Sequence, residues 1–159
     1  MSRLLENLLA LSIISPLMRI LLVYPEMPDT FYAMKHFMEV VNKKAAYPPL
    51  GLLTVASLLP ADWEKKLVDT NVAPLQDRDI QWADYVFLSA MNVQEESVGE
   101  IVKRCKALGA KIVAGGTLFT HEYNRFPKID HFVLNEAEIT LPLFLEDLAN
   151  GKPKPLYQT

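Results

Sequence analysis

Three short segments carry most of the side chains that could do chemistry: Asp69-Thr70-Asn71, Ser89-Ala90-Met91 and Gly115-Gly116-Thr117. Each stands where an apolar, β-prone run stops. In an open parallel α/β sheet such stops fall along the carboxyl edge, where ligands bind. Asp69 and Asn71 can engage an amide or a hydroxyl, or merely close their loop as Asx turns. Ser89 can donate a hydrogen bond and Met91 offers a soft apolar contact, although the same residues also suit a helix-entry turn. Gly115-Gly116 removes two β-carbons where a ligand could approach the backbone, and glycine pairs also end strands. Together the segments describe a shelf for a large ligand.

The residues of a reaction centre are missing. His36, His121 and His131 lie in a loop, a loop and a strand start, and none neighbours a plausible nucleophile. No G-x-S-x-G elbow, P-loop or G-x-G-x-x-G is present. His121-Glu122 has no second histidine at i+4, so it reads as a solvated loop pair rather than a metal site. Phosphoacceptor chemistry would need an acidic pair after the first strand, where Tyr24-Pro25-Glu26-Met27 supplies one acid and a proline. No catalytic and no metal-ligating residue is expected in this chain.

Composition narrows the class further. A chain of 159 residues, 50% hydrophobic and 22% charged, is one globular domain with a core of its own. The net charge is -3 and the basic residues are scattered, so nucleic acid is not an expected partner. The single cysteine, Cys105, excludes an internal disulfide and a cysteine cluster, which fits a reducing, cytoplasmic setting. Leu8 to Met18 is apolar, but Pro16 and Arg19 interrupt it and it is too short for a membrane span. Glu6 and the lack of a small-x-small site argue against a secretory signal. Residues 1–18 read as an N-terminal extension.

Five strands are expected, at Arg19–Tyr24, Lys65–Asp69, Tyr85–Ser89, Lys111–Ala114 and His131–Leu134. A helix should run from Leu50 to Leu59 between Pro48-Pro49 and Pro60. A second, between Asn92 and Gly109, carries the apolar stripe Val98, Ile101, Val102, Cys105 and Leu108, with Asn92 and Glu95 suited to a capping box. A third carries Leu141, Phe144, Leu145 and Leu148 and stops at Asn150-Gly151. The stretch between the second and third strands reads as a linker, that between the fourth and fifth as a loop, and 152–159 as a linker or tail. This alternation predicts an α/β, flavodoxin-like, doubly wound fold, a three-layer sandwich around a five-stranded parallel sheet in the order 2-1-3-4-5. Residues 19–151 form that Rossmann-like domain.

The same segments resemble the cobalamin-binding domain that precedes the catalytic core in cobalamin-dependent radical S-adenosylmethionine proteins. That family's signature is D-x-H-x-x-G, then S-x-L, then G-G. Here the positions read Asp69-x-Asn71-x-x-Pro74, Ser89-x-Met91 and Gly115-Gly116. Pro48-Pro49-Leu50-Gly51, the strand exit Val113–Thr117, and Asn135-Glu136-x-Glu138-x-Thr140-Leu141 against the family's G-E-x-E-x-T-L extend the likeness. It covers about Arg19 to Gly151 and is nearest to hopanoid-methylase-like members. The resemblance implies a cobalamin carrier for methyl transfer to a hydrophobic or otherwise unactivated substrate. By it, Gly115, Gly116 and Thr117 let the corrin or its tail approach the backbone, and Asp69, Asn71 and Val72 line the lower loop. Ser89 bonds the buried base, Met91 packs on it, and Glu136 and Pro49 stand nearby.

Two departures from that pattern have consequences. Asn71 stands where a histidine would ligate cobalt, and a carboxamide is a poor ligand, so no protein nitrogen is expected on the metal. No C-x-x-x-C-x-x-C occurs, so an iron–sulfur cluster and S-adenosylmethionine belong to a catalytic domain in cis or in trans. Two other readings are a ligand-free interaction module and a flavin or nucleotide binder. The latter is disfavoured because the loop after Tyr24 lacks the composition of a phosphate cradle.

Overall fold

The computed structural model describes residues 17–29 and 48–159. Residues 1–16 of the expected N-terminal extension, and His36, lie outside the described residues. Strand β1 (Arg19–Tyr24) is the pivot: Ile20, Leu21, Leu22 and Val23 are almost fully excluded from solvent, as a strand covered on both faces must be. Around it lie β2 (Glu64–Asp69), β3 (Tyr85–Ser89), β4 (Lys111–Gly115), β5 (His131–Val133) and β6 (Leu156–Tyr157). All pairs are parallel, in the order β2-β1-β3-β4-β5-β6. No helix among the described residues is long and apolar enough to cross a membrane.

Alternation along the strands divides the core in two. Leu21, Val23, Val86, Leu88, Ile112 and Ala114 face α3 (Glu95–Ala107), packing on Val98, Ile101, Val102 and Cys105. Ile20, Leu22, Tyr85, Phe87 and Val113 face the opposite way, onto Leu52 of α1 (Leu50–Leu58) and Leu141, Phe144 and Leu145 of α5 (Ala137–Ala149). The result is the expected three-layer sandwich. Acidic residues open α3, Arg104 and Lys106 close it, and Gly109 takes the left-handed position beyond it at φ 73°. Burial pushes the Cys105 thiol up to about 11, making it a core filler rather than a nucleophile.

Four expectations need correction. The linker after β2 contains α2 (Asp77–Trp82), a short helix that buries Ile80. Its Asp79 is buried but accepts a hydrogen bond from Lys66 Nζ at 2.5 Å, which lowers its pKa. The loop before β5 contains α4 (Thr117–Glu122), which buries Leu118 and Phe119. Both helices have six residues, too few for a helical stripe to show in sequence. The expected capping box at Asn92 and Glu95 is absent. Instead Asn92–Gln94 makes one 3-10 turn, and Met91 N–H donates to Gln94 Oε1 at 2.9 Å.

The fourth correction concerns the tail, which adds a sixth strand. Phe132 pairs with Leu156 and Val133 with Tyr157. Tyr157 is buried edge-on against Phe144, with ring centroids 5.6 Å apart. Its hydroxyl donates to Asp147 Oδ2 at 2.9 Å and accepts from Lys154 N–H at 2.6 Å. Burial, reinforced by the Asp147 carboxylate, pushes that hydroxyl up to about 12. Pro153 and Pro155 hid the strand, yet prolines are tolerated on an edge, and Pro155 still offers its carbonyl to Phe132 N–H at 2.8 Å. We expect Tyr157→Ala to lower unfolding free energy by about 3 kcal/mol in urea denaturation. A loss under about 1 kcal/mol would return the segment to a dangling tail.

Candidate functional site

The strand ends are level. Tyr24 pairs with Asp69, and Ser89 with Gly115, so the exits of four strands open at one height. Ser89 follows Leu88 and so points, like Phe87, toward the α1/α5 layer; Gly115 follows the same parity as Val113. Between those helices and the strand ends lies a crevice of about 250 Å³. Leu52, Val55, Phe87, Val113, Val133 and Leu141 make its apolar walls. Thr54, Ser89, Asn135, Glu136 and Glu138 supply its polar groups. The amino ends of α1 and α5 both open beside it, and neither carries a side-chain cap. Helix amino ends attract anionic groups, although Leu50 and Ile139 N–H already donate to Pro48 O and Glu136 O and the Glu136 and Glu138 carboxylates share the rim.

Gly115 and Gly116 line this crevice, but the protein's own packing requires them. A β-carbon on Gly115 would lie 2.6 Å from the Val133 carbonyl oxygen. One on Gly116 would lie 2.8 Å from the Ala90 carbonyl oxygen and 2.9 Å from Ser89 Oγ, and its φ is 95°. Only glycine fits such a left-handed, crowded turn. Gly51 is different, since its β-carbon would sit in ordinary contact, 3.8 Å from Ser89 Oγ. Asn135 is the one non-glycine with positive φ among the described residues, at 64°. It stands where the G-E-x-E pattern has glycine, and asparagine tolerates that conformation.

The structure divides the predicted shelf. Ser89, Gly115, Gly116 and Glu136 come together around the crevice. Asp69 ends the edge strand β2 and Asn71 and Val72 follow it, on the far side of β1. There Asn71 acts as a staple. Its Oδ1 accepts from Met27 N–H at 2.8 Å, and its Nδ2 donates to Pro25 O at 3.2 Å and to Asp69 Oδ1 at 2.7 Å. Asp69 Oδ1 also accepts the Asn71 N–H at 2.9 Å. Asn71 and Val72 line a second, wider groove of about 730 Å³ against Ser97, Ile101 and Arg104 of α3. Met91 and Thr117 are exposed at the carboxyl edge, and neither they nor Pro49 are among the crevice walls.

Among the crevice residues that the sequence reading does not assign to the site are Thr54 and Val55 of α1, Asn135 at the exit of β5 and Glu138 of α5. The Pro48-Pro49-Leu50-Gly51 match had marked the start of α1 but not which of its sides faces the site. The described histidines lie elsewhere. His121 Nδ1 contacts Thr117 O at 2.8 Å within α4, and His131 Nδ1 contacts Lys154 O at 2.7 Å. Among the described residues no group of three histidine, cysteine, aspartate or glutamate side chains could hold a metal.

Comparison with known proteins decides what kind of domain this is. The family model of the B12 binding domain matches residues 40–145, about two thirds of the chain. The chain belongs to the B12 binding domain family. It is 42% identical over 137 residues to an uncharacterized methyltransferase of Synechocystis sp. (strain ATCC 27184 / PCC 6803 / Kazusa), covering 85% of the chain and 26% of that protein. It is 28% identical over 141 residues to the hopanoid C-2 methylase of Rhodopseudomonas palustris (strain TIE-1), covering 88% and 27%. The chain therefore spans about a quarter of the length of these curated relatives.

The glycine contacts give a contrast that thermal denaturation can check. Gly116→Ala should cost at least about 2 kcal/mol, from the clash with Ala90 and the forced left-handed φ. Gly51→Ala, in helical backbone with open space, should gain about 0.5–1 kcal/mol. Equal effects at the two positions would contradict the packing role of Gly116.

Proposed function

We propose that this B12-binding domain holds cobalamin for a radical S-adenosylmethionine enzyme of the methyltransferase type, whose catalytic domain acts in cis or in trans. The observation that carries the reading is the crevice at the carboxyl edge. Its apolar walls suit the flat base at the end of the cofactor's nucleotide tail, and Ser89 lies at hand for a base nitrogen. The uncapped amino ends of α1 and α5 suit the tail's phosphate. The corrin ring would then rest over the exits of β1, β3 and β4, beside Met91 and Thr117. When bound, the cofactor supplies a cobalt that carries a methyl group.

This chain's own residues would bind and orient rather than react. Among the described residues no histidine lines the crevice, and the Asn71 carboxamide is fully engaged by Pro25, Met27 and Asp69. On this reading none of the described residues would place a nitrogen on cobalt. The iron–sulfur cluster and S-adenosylmethionine would belong to the catalytic domain. The methyl acceptor would be apolar or unactivated, a class to which the named substrate of the hopanoid C-2 methylase relative also belongs.

Gel filtration with hydroxocobalamin or methylcobalamin, read by visible absorption, tests the reading. The purified protein should retain the cofactor in a one-to-one ratio. Thr54→Trp, on an exposed position at the crevice rim, should weaken retention at least tenfold while leaving the melting temperature nearly unchanged. Asn71→His should add no nitrogen-ligated spectrum, because that side chain is turned toward Pro25 and Met27. Cobalamin that passes through the wild-type protein unbound would leave a ligand-free interaction module as the better account.

A further inference from the structure

Gln94 is the most deeply buried carboxamide of the carboxyl edge, with 1% of its surface exposed. Its Oε1 accepts the Met91 N–H at 2.9 Å, and its Nε2 donates to the Pro25 carbonyl at 2.6 Å. One side chain thus joins the exit of β3 to the exit of β1, across the point where the strand order reverses. The β1 exit is held from other sides as well. Asn71 reaches Pro25 and Met27 from beyond β2, and Ser97 Oγ accepts the Glu26 N–H at 2.9 Å from α3. Pro25 O therefore has a second donor. Among the described residues Met91 N–H finds no other acceptor, so the β3 exit depends on Gln94 more than the β1 exit does.

The chemistry of the residue is specific. A carboxamide can accept from one loop and donate to the other at the same time, whereas a carboxylate can only accept and an aliphatic chain does neither. Without Gln94 the Met91 N–H loses its partner and Pro25 O keeps only the Asn71 donor, so the link between the two loops would be lost to water.

We propose that Gln94 is a positioning residue for cobalamin, fixing Met91 and the Pro25–Met27 loop as one rigid surface beneath the corrin. The proposal rests on the cobalamin reading, and Gln94 itself touches no cofactor. Burial and the Asp69 carboxylate raise the pKa of the neighbouring Tyr24 hydroxyl, which keeps it neutral. The other charged groups near the bridge are Glu26 in the β1 exit and Glu95, which pairs with Arg125.

Gln94→Glu provides the test, because its missing donor returns on protonation. With methylcobalamin as the probe, the wild-type protein should show similar affinity at pH 7.5 and pH 5. The variant should bind about tenfold more weakly at pH 7.5 and recover most of that loss at pH 5, where a buried glutamate regains its proton. A merely structural defect would not recover on acidification. Ser97→Ala, a milder loosening of the β1 exit alone, should weaken binding by a smaller factor with no pH dependence, and it serves if Gln94→Glu does not fold. Wild-type binding with unchanged affinity in Gln94→Glu at both pH values would overturn the positioning role while leaving the cobalamin reading intact. If only Ser97→Ala can be measured, affinity equal to wild type would overturn it. Failure of the wild-type protein to bind would remove both.

Discussion

The carboxyl edge is built around one close backbone contact. As β4 ends, Gly115 and Gly116 pass so near Val133, Ala90 and Ser89 that no β-carbon fits at either position. That contact sets how closely β3, β4 and β5 converge, and Leu118 N–H then donates to Ala90 O at 3.1 Å to start α4 in the same place. With the three exits drawn together, α1 and α5 are left to roof the remaining space, and the crevice is what they fail to fill. A glycine pair that looks like an opening for a ligand is first a condition of the sheet's own geometry. Its service to a ligand is indirect, by shaping the room next to it.

Around this contact the loops are tied rather than free. Asn71 fastens the β1 exit from one side, Gln94 from the other, and Thr70 Oγ1 donates to Tyr24 O at 2.9 Å between them. Buried polar groups with all partners in place give a unique arrangement where an apolar filler would leave several. The crevice beside α1 and the groove beside α3 are therefore separate features of one edge, with β1 and its stapled exit between them. On the proposed reading, the flat edge would support the cofactor's ring and the crevice would take its tail.

The long, buried elements were legible in the sequence because burial on both faces produces continuous apolar runs. Arg19–Tyr24 and Tyr85–Ser89 fall where those runs predicted. The order 2-1-3-4-5 followed from the doubly wound fold class, and β6 extends it by one strand. Short elements were not legible, since Asp77–Trp82, Thr117–Glu122 and Leu156–Tyr157 are stabilised by tertiary contacts rather than by their own pattern. Of the residues picked from strand ends and motif, Ser89, Gly115, Gly116 and Glu136 are the ones the fold brings together around the crevice. Asp69-x-Asn71 shared the motif's letters, yet its side chains turn to the β1 exit, a direction that spacing alone does not encode. Thr54 and Val55 were hidden in a helix that is apolar all round, so no stripe distinguished the side facing the crevice.

The central claim is that the cofactor's tail enters between α1 and α5. Methyl-selective NMR of the protein during addition of cobalamin reports this directly, because both cavities carry their own reporter methyls. The account predicts shifts at Val55, Val113, Val133 and Leu141 of the crevice, with Leu75 and Ile101 of the α3 groove unmoved. Shifts confined to Val72, Leu75 and Ile101, or none at all, would contradict it.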